Sequence, residues 1–398
     1  MSTASKLVRL DSVVAIVGGG TPSKANPSYF NGLIPWVTPK DMRNGFITDT
    51  EDHISQEALE NSSSRLVPQN SVLVVVRSGV LKHTLPVALN AVPVAINQDM
   101  KALICSSDVH PPYLAYALRF KSKKLLQRVR GTTADNIPLD ELRALSIPVP
   151  PIPEQKRIAA ILGKADAIRH KRKHAVRLAD EFLRSLFLDM FGDPAKNPNK
   201  LPIVRIGDII TSATYGTSKK AHDTGRYPVL RMLNITYTGG WNFSDLKFID
   251  LDEREVERYL ARKGDILFNR TNSRDLVGKT GVFRSDVPMA YAGYLIRLRA
   301  NDRAHPEYIS AFLNSNYMKR VLRDKCKDII GMANINAREL QAFPVPLPPF
   351  SAQAAFAAVV ERIIQSRSLL ERGTCDNEML NRALSHCAFS GEFAHTNI

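Results

Sequence analysis

The segment NIPLDELRALSIPVPPIPEQKRIAAIL, residues 136–162, recurs as NINARELQAFPVPLPPFSAQAAFAAVV, residues 334–360, at a constant offset of 198 and without a gap. Eleven of the 27 aligned positions are identical, among them Pro148 with Pro346 and Gln155 with Gln353. Self-similarity over such a distance indicates that the chain is built from two copies of one unit. Two copies predict a pseudo-twofold body, and such a body suits a ligand with two separated halves.

The repeat continues outside this segment, although its offset drifts where the loops differ. The further blocks are residues 9–14 with 205–210 and Gly20-Thr21 with Gly216-Thr217 at offset 196, residues 70–73 with 264–267 at 194, and residues 110–113 with 305–308 at 195. Four blocks in the same order make chance similarity improbable. The two copies are therefore expected to share one fold.

Each copy is predicted to be α+β and to end in a long helix. Strand-forming residues dominate 72–77 and 265–268, and Gly, Asn or Ser bound both runs. Apolar residues at spacings of three and four predict helices over 113–130 and 308–325. A proline-rich joint follows in each copy, at 148–153 and 344–349, and predicts a stiff, extended connector.

Two long amphipathic helices are predicted after the joints, over residues 154–191 and 352–389. Their apolar positions form the narrow stripe that is typical of coiled coils. We expect the helices to pack antiparallel as a spacer of roughly 57 Å, at 1.5 Å per residue; two separate helices on separate cores are the alternative. Gly373 costs the second helix about 1 kcal/mol relative to Ala and is compatible with a kink. The basic run 169–173 predicts a solvated or phosphate-facing turn.

The predicted architecture is therefore α+β, with two globular domains separated by a pair of long antiparallel coiled-coil helices. The first domain is assigned to residues 1–150 and the second to residues 194–349. The helices are assigned to residues 151–193 and 350–398.

The composition is that of a basic protein without a membrane anchor. The 398 residues carry a net charge of +15, and no apolar run approaches the roughly 20 residues that span a bilayer. The start of the chain lacks the apolar core of a signal peptide. Four scattered cysteines, without a metal-ligand spacing, predict a reducing cytoplasm and no structural metal.

The positive charge lies mostly in the two predicted domains. Residues 1–150 contain 16 Lys and Arg against 12 Asp and Glu, and residues 194–349 contain 25 against 16. A basic surface attracts phosphate polyanions and accelerates their encounter. A merely soluble basic protein is the alternative on charge alone.

Several short patterns resemble catalytic motifs, but each fails. Gly278-Lys279-Thr280 resembles the end of a phosphate-binding loop, but Ser273 replaces the required glycine. The glycines of residues 17–20 lack dinucleotide-binding spacing and predict a simple turn. His110-Pro111-Pro112-Tyr113 differs at its first residue from the Asp/Asn-Pro-Pro-Tyr loop of amino-methyltransferases, so it predicts a helix start. The chain is therefore interpreted as a binder, with no catalytic residue.

Polar and basic residues near strand ends are the candidates for contact with nucleic acid. In the first copy they are Thr21, Lys24, Trp36, Lys40, Arg43, Arg77, Ser78 and Lys82. In the second copy they are Tyr215, Lys219, Lys220, Arg231, Arg270, Thr271, Asn272, Arg274 and Lys279. Residues 270–274 form the best single cluster, a polar loop directly after an apolar strand. Each residue alone also suits a solvated surface position.

The order of domain, joint PPIPEQKRIAAIL, helix ending LADEFLRSLFLDMFGD and then a second copy resembles a known family. That family is the specificity (S) subunits of type I DNA restriction-modification systems, and the resemblance covers essentially the full chain. Residues 19–23 (GGTPS), 34–42 (IPWVTPKDM) and 97–103 (NQDMKAL) also resemble phrases of its recognition domains. The second joint departs from the pattern, because Ser351-Ala352 replaces Pro-Glu.

The resemblance implies that each variable domain reads one half of a bipartite, asymmetric DNA target, and that the antiparallel helices set the distance between the halves. It also implies docking of two modification (methyltransferase) subunits, with restriction subunits in the full complex. The chemistry would belong to those partners, with S-adenosylmethionine, ATP and Mg²⁺, and this chain would bind no cofactor or metal. The expected partner contacts are Pro151, Glu154, Gln155, Ile158 and Gln353.

Two other classes of function remain open. The chain could be an adenine-N6 DNA methyltransferase with its own recognition domain, which would require a cofactor motif. It could also be a coiled-coil scaffold for proteins, which would bind DNA without a steep salt dependence.

Overall fold

The first copy folds into two small sheets, a two-stranded ladder and four α-helices among the residues described. The computed structural model describes residues 6–43, 45–129, 135–329 and 332–390. The strands of the first copy are β1 (Lys6–Arg9), β2 (Val14–Gly18), β3 (Ile34–Val37), β4 (Phe46–Ile47), β5 (His53–Ile54), β6 (Leu66–Val67), β7 (Val72–Val75), β8 (Val87–Asn90), β9 (Val94–Ile96), β10 (Met100–Cys105) and β11 (Ser146–Val149). Its helices are α1 (Gln56–Glu60), α2 (Pro111–Leu126), α3 (Leu139–Arg143) and α4 (Ile152–Phe191).

The second copy follows the same plan. Its strands are β12 (Ile203–Arg205), β13 (Ile210–Tyr215), β14 (Tyr227–Leu230), β15 (Lys247–Ile249), β16 (Leu260–Ala261), β17 (Ile266–Asn269), β18 (Thr271–Asn272), β19 (Thr280–Val282), β20 (Met289–Tyr291), β21 (Leu295–Ala300), β22 (Lys327–Ile329), β23 (Met332–Asn334) and β24 (Pro344–Pro346). Its helices are α5 (Glu253–Tyr259), α6 (Pro306–Leu313), α7 (Asn316–Lys325), α8 (Ala337–Ala342) and α9 (Phe350–Ser390).

The strand order confirms the internal repeat and the α+β class. The main sheet runs β2-β10-β7-β8-β4 in the first copy and β13-β21-β17-β19 in the second. The second sheet runs β5-β3-β9-β6 and β15-β14-β20-β16, with a parallel pair at the same place in each. The central strand β7 consists of VLVV and is buried along its whole length, as expected of β-branched residues packed on both faces of a sheet.

Two compact units divide the chain, and the divisions fall inside the two long helices. Unit 1 contains residues 1–172 and 373–398, and unit 2 contains residues 173–372. In unit 1 the core includes Leu162 from the first half of α4 and Phe389 from the end of α9. In unit 2 it includes Val360 from the first half of α9 and Phe191 from the end of α4. Each unit therefore contains an antiparallel pair of helical segments.

The two predicted long helices are confirmed. Helix α9 continues through Gly373 as one element. The predicted division into four chain segments, at residues 150, 193 and 349, stays a prediction. The two compact units are divided within the long helices, so they do not test whether the helices are separate from the domains.

The prediction of one helix over 308–325 is wrong. Helix α6 ends at Leu313 and α7 begins at Asn316. The Ser315 hydroxyl oxygen accepts a hydrogen bond from the Met318 amide at 3.1 Å, which is the arrangement of a helix N-cap. In the first copy the corresponding helix ends at Leu126, and Arg130, its predicted end, lies outside the described residues.

The proline joints are extended, as predicted, over the part of each that lies in a two-stranded ladder. At the end of the first predicted joint, Ile152 and Pro153 instead begin helix α4. Strand β11 pairs with β1, and β24 pairs with β12. Proline lacks an amide hydrogen and is tolerated in such edge strands. Each joint is thereby fastened to the start of its own copy.

No helix among the described residues is long and apolar enough to cross a membrane. In the same part of the chain, no group of three or more His, Cys, Asp or Glu residues is arranged to hold a metal ion.

Candidate nucleic-acid interface

A three-residue turn between the two sheets of unit 1 organises the candidate site. This β9–β10 turn consists of Asn97, Gln98 and Asp99. The Asn97 amide donates to the carbonyl oxygen of Val37, the last residue of β3, at 3.0 Å. The Asn97 side-chain oxygen accepts from the Asp99 amide at 3.1 Å, which is an Asx turn. The end of β3 is thereby fixed beside the start of β10.

The β9–β10 turn brings together candidates that are far apart in the sequence. The Thr21 hydroxyl donates to the Gln98 side-chain oxygen. The Asp99 carbonyl oxygen accepts from the Arg77 amide at 3.1 Å, and its carboxylate accepts from Arg77 Nε at 2.5 Å. Thr21 and Arg77 therefore both lie beside this turn, although they do so through different residues of it.

The other basic candidates of unit 1 differ in their availability. Lys40 forms ion pairs with Glu51 at 3.1 Å and Asp52 at 2.9 Å, and its hydrogen bonds to these carboxylates raise the pKa of the ammonium. Lys24, Arg43 and Lys82 are exposed. Within the described residues these three have no ion-pair partner, so their charges are available to a polyanion.

Two candidates of unit 1 have structural roles. Trp36 is buried, its indole nitrogen donates to the Gly20 carbonyl at 3.1 Å, and its ring packs edge-on against Phe30. The Ser78 hydroxyl accepts from the Val80 amide at 3.4 Å and caps the short turn that follows. Trp36 is therefore a core residue of the second sheet, because its ring packs with Ile54, Ala58 and Ala95, and this burial keeps it from a ligand.

Unit 2 contains the equivalent turn. This β20–β21 turn consists of Ala292, Gly293 and Tyr294. The Ala292 amide donates to the carbonyl of Leu230, the end of β14, at 2.9 Å, and the Tyr294 carbonyl accepts from the Arg270 amide at 3.0 Å. These bonds match those of Asn97 and Asp99, so the two turns occupy the same place in the repeat.

Two glycines correct the alignment of the copies. A Cβ on Gly19 would lie 2.1 Å from the carbonyl oxygen of Ile96, and a Cβ on Gly216 would lie 2.2 Å from that of Tyr291. Both positions exclude any side chain, so Gly19 corresponds to Gly216. The sequence match of Gly20-Thr21 with Gly216-Thr217 is wrong by one residue.

Arg270 is the best-positioned cation of unit 2. Its guanidinium carbon lies 4.9 Å from the centre of the Tyr215 ring, within the range of a cation–π contact. The Tyr215 hydroxyl in turn accepts from the amide of Ala337, the first residue of α8, at 2.8 Å. Arg270 Nε is buried and has no hydrogen-bond partner among the described residues.

The predicted polar loop 270–274 is partly a strand. Thr271 and Asn272 form β18, which pairs with β23, and the Thr271 hydroxyl donates to the Asn334 side-chain oxygen at 3.3 Å. The reason is a partner strand distant in the sequence, which the local pattern does not reveal. Arg274 follows the strand and is exposed.

Most other basic candidates of unit 2 are paired. Arg231 bonds the Asp245 carboxylate at 2.7 Å. Lys219 bonds Glu255 at 2.5 Å, which raises the pKa of its ammonium. Lys220 is exposed and has no ion-pair partner in the described part of the chain.

Lys279 is placed inside unit 2. Its ammonium is buried and donates to the carbonyl oxygens of Met232 at 2.8 Å and Ile235 at 2.7 Å. Burial lowers the pKa of this amine. Because its donors hold the loop after β14, Lys279 supports the candidate surface and does not belong to it.

The expected partner contacts lie largely inside their own units. Gln155 and Gln353 are completely buried, and Ile158 belongs to the core of unit 1. Glu154 bonds Arg157 at 2.8 Å, which lowers the pKa of its carboxyl, and Pro151 is exposed. Of the five, only Pro151 and Glu154 have exposed or half-buried side chains that another protein could touch, because Gln155, Ile158 and Gln353 are buried.

The sequence candidates omitted the turns themselves. Asn97, Gln98 and Asp99 belong to the phrase NQDMKAL, but they are not among the polar and basic residues predicted to contact nucleic acid. Tyr294, at the equivalent place in unit 2, is also exposed at 49%. In unit 1 the available signal was a turn that begins with asparagine directly after a short apolar strand.

The sequence profile described as the type I restriction modification DNA specificity domain matches residues 4–177 and 198–378. The chain is 41% identical over 154 residues to the EcoR124I/EcoR124II specificity subunit of Escherichia coli, which covers 38% of each chain. It is 25% identical over 258 residues to the EcoKI specificity subunit of Escherichia coli K12, covering 61% of this chain and 55% of that one. The chain thus spans about half the length of these relatives, or less.

Solved structures share the fold. The S subunit of a type I restriction-modification system from M. genitalium superposes with a TM-score of 0.63, at 14% identity, over 98% of this chain and 97% of that one. A chain from a structure on complex assembly of a type I system superposes with a TM-score of 0.52, at 16% identity, over 97% of each chain. At these identities the likeness concerns the fold alone.

Proposed function

Because this chain belongs to the type I restriction-modification DNA specificity family, we propose that it selects the DNA target of such a system, each unit binding one half of a bipartite, asymmetric sequence. The observation that carries the proposal is the equivalence of the β9–β10 and β20–β21 turns. Their main-chain bonds are the same, whereas their side chains differ: Gln98 and Asp99 in one, Gly293 and Tyr294 in the other.

Two turns with the same main-chain arrangement but different side chains suit an asymmetric target. Turns of the same main-chain arrangement would approach a duplex in the same way, and sequence is read by hydrogen bonds and apolar contacts to base edges. Different side chains at equivalent places would then select different bases. The exposed, unpaired cations, among them Lys24, Lys82 and Lys220, would contact phosphates and fix the register on the DNA.

The long helices are proposed to set the spacing between the two half-sites. Each unit holds one antiparallel pair of segments from α4 and α9, and polar contacts fix the register of each pair. In unit 1 the Asn377 side-chain amide donates to the Ala165 carbonyl at 3.0 Å. In unit 2 Arg367 bonds Asp180 at 2.7 Å.

The proposed partners are double-stranded DNA, two modification subunits and the restriction subunits. In this proposal the chain itself is not catalytic, and S-adenosylmethionine, ATP and Mg²⁺ serve the partner subunits. Because its proposed ligand is DNA, it would act in the cytoplasm.

The test is selective binding. The chain, purified with its methyltransferase partner, should bind duplexes enriched from a random library more tightly than random duplexes at every salt concentration. Its affinity should fall steeply with salt, since bound phosphates release counterions. Equal affinity for enriched and random duplexes would contradict the proposal. Binding of labelled S-adenosylmethionine by the chain alone would instead support a methyltransferase, and DNA binding without salt dependence a protein scaffold.

A further inference from the structure

Gln98 stands at the tip of the β9–β10 turn, and we infer that it recognises an adenine in the half-site bound by unit 1. The inference rests on the proposed function and deepens it, because it names one reading residue and the base that it selects. Gln98 is exposed, whereas Asn97 is buried and Asp99 is half-buried.

The turn presents Gln98 on a rigid support. The Asn97 carbonyl accepts from the Met100 amide at 3.3 Å, and the side chains of Asn97 and Asp99 bond each other at 3.3 Å. Arg77 holds the same carboxylate at 2.5 Å. A base-reading group gains specificity when its neighbours fix its position before the ligand arrives.

The contact with Thr21 orients the amide of Gln98. The Thr21 hydroxyl donates to the Gln98 oxygen, which leaves one lone pair on that oxygen. The amide nitrogen keeps both of its donors, and it has no hydrogen-bond partner among the described residues. The exposed amide therefore keeps one acceptor site and adjacent donors for a ligand.

This pattern matches adenine. In the major groove adenine presents the N7 acceptor and the N6 donor, and glutamine is one of the two side chains that bind both at once. The neighbouring charges are committed to each other, because Arg77 and Asp99 form an ion pair. The amide of Gln98 is thus the polar group at the tip that keeps hydrogen-bonding capacity for a ligand.

Unit 2 has no such group at the equivalent position. Gly293 takes the place of Gln98, since Ala292 and Tyr294 make the bonds of Asn97 and Asp99. A Cβ on Gly293 would meet the Thr217 carbonyl oxygen at an ordinary 3.4 Å, so space does not explain the absence of a side chain. The adenine contact is therefore specific to unit 1.

The experiment compares Gln98→Ala and Gln98→Glu with a control, Gln69→Ala. Gln69 is an exposed glutamine before β7, at the opposite end of that strand from Arg77. Each chain, with its methyltransferase partner, selects duplexes from a random library, and the enriched sequences are compared. Gln98→Ala should lose the preference for adenine at one position of one half-site, by roughly 5- to 150-fold. Gln98→Glu should prefer cytosine there, because a carboxylate accepts from cytosine N4.

A modified base separates a direct contact from a structural effect. Replacing that adenine by 7-deazaadenine, which lacks the N7 acceptor, should weaken binding of the wild-type chain and of Gln69→Ala but not of Gln98→Ala. An unchanged preference in Gln98→Ala, or an equal loss at both half-sites, would overturn the inference. If the wild-type chain enriches no bipartite sequence at all, the proposed function fails instead.

Discussion

The ring of Phe389, near the end of α9, lies 5.3 Å from the ring of Tyr113 in α2, measured between centroids. In unit 2 Phe191, at the end of α4, lies 5.0 Å from Tyr308 in the same way. Phe191 and Phe389 are related by the offset of 198. The core of each unit therefore includes the C-terminal end of the long helix that begins in the other copy.

We expect Phe389→Ala to destabilise unit 1. Phe389 is 2% exposed, and removing a buried phenyl ring typically costs about 3–5 kcal/mol. Hydrogen exchange of the β7 amides should accelerate, whereas exchange of the β17 amides in unit 2 should not. The control is Leu369→Ala in the same helix, where the side chain is 68% exposed and the expected change is within about 0.5 kcal/mol. Equal acceleration in β7 and β17 would show that the end of α9 does not stabilise unit 1 specifically.

Gln155 is expected to stabilise the joint of unit 1. Its oxygen accepts from the His110 amide at 2.8 Å, and its nitrogen donates to the carbonyls of Asp108 and Pro150 at 2.8 Å each. Gln155→Ala leaves one buried and two partly buried groups without their partner, and an unsatisfied buried group costs about 1–3 kcal/mol. Urea denaturation should show a lower midpoint than for Gln365→Ala, an exposed glutamine of α9.

Gln353 makes the same set of bonds in unit 2, to the His305 amide and to the carbonyls of Arg303 and Pro348. Gln353→Ala should therefore destabilise unit 2 by a similar amount. If it leaves the denaturation midpoint unchanged and only weakens binding of the methyltransferase partner, Gln353 is a partner contact, as the family resemblance implied.

Arg270 provides a test of base reading in unit 2. Arg270→Ala should weaken DNA binding by roughly 1–3 kcal/mol if the guanidinium contacts a base edge, and the loss should concern one position of one half-site. Tyr215→Ala should weaken binding less, since it leaves the guanidinium in place and removes the ring that supports Arg270, together with the hydroxyl that accepts from the Ala337 amide. Arg254→Ala, at an exposed position of α5, is the matched control. A uniform loss over all sequences would identify a phosphate contact.

The pH dependence of stability should reveal Lys319. Its ammonium donates to the Tyr237 carbonyl at 2.7 Å, and burial, with Arg184 and Lys279 nearby, lowers its pKa to about 8. The unfolded chain keeps the ordinary Lys pKa near 10.4. Between these values the unfolded state binds the extra proton, so the free energy of unfolding contributed by this group rises with pH across that window.

The measurement compares wild type with Lys319→Met in urea denaturation at a series of pH values. The wild type should gain stability relative to the variant as the pH rises from about 8 to 10. A constant difference would mean that the Lys319 pKa is not lowered.

The sequence predicted the features that depend on local periodicity. The stripes of α4 and α9 and the proline joints needed only the spacing of apolar residues and prolines. The β9–β10 turn was not predictable in this way, because it joins Thr21 and Arg77 to Gln98 and Asp99 through bonds across the fold. The break after Leu313 was missed because Ser315 and Asn314 fit the helical spacing while their side chains favour caps. Burial of Lys279 was not predictable because its ammonium donates to two carbonyl oxygens of a loop distant in the sequence.

Matched insertions test whether the helices set the spacing of the target. Seven residues inserted into α4 after Arg172 and into α9 after Arg372 fall at the divisions between the units and leave both cores intact. A heptad lengthens a helix by roughly 10 Å at 1.5 Å per residue, which is about three base pairs at 3.4 Å each. The half-sites selected from a random library should keep their sequences while the gap between them grows by about three base pairs.

An insertion in one helix alone should change the gap or abolish binding, because the polar contacts of Asn377 and Arg367 can no longer both form. Unchanged gap length with full binding would contradict the spacer role and leave base reading by the two units unaffected.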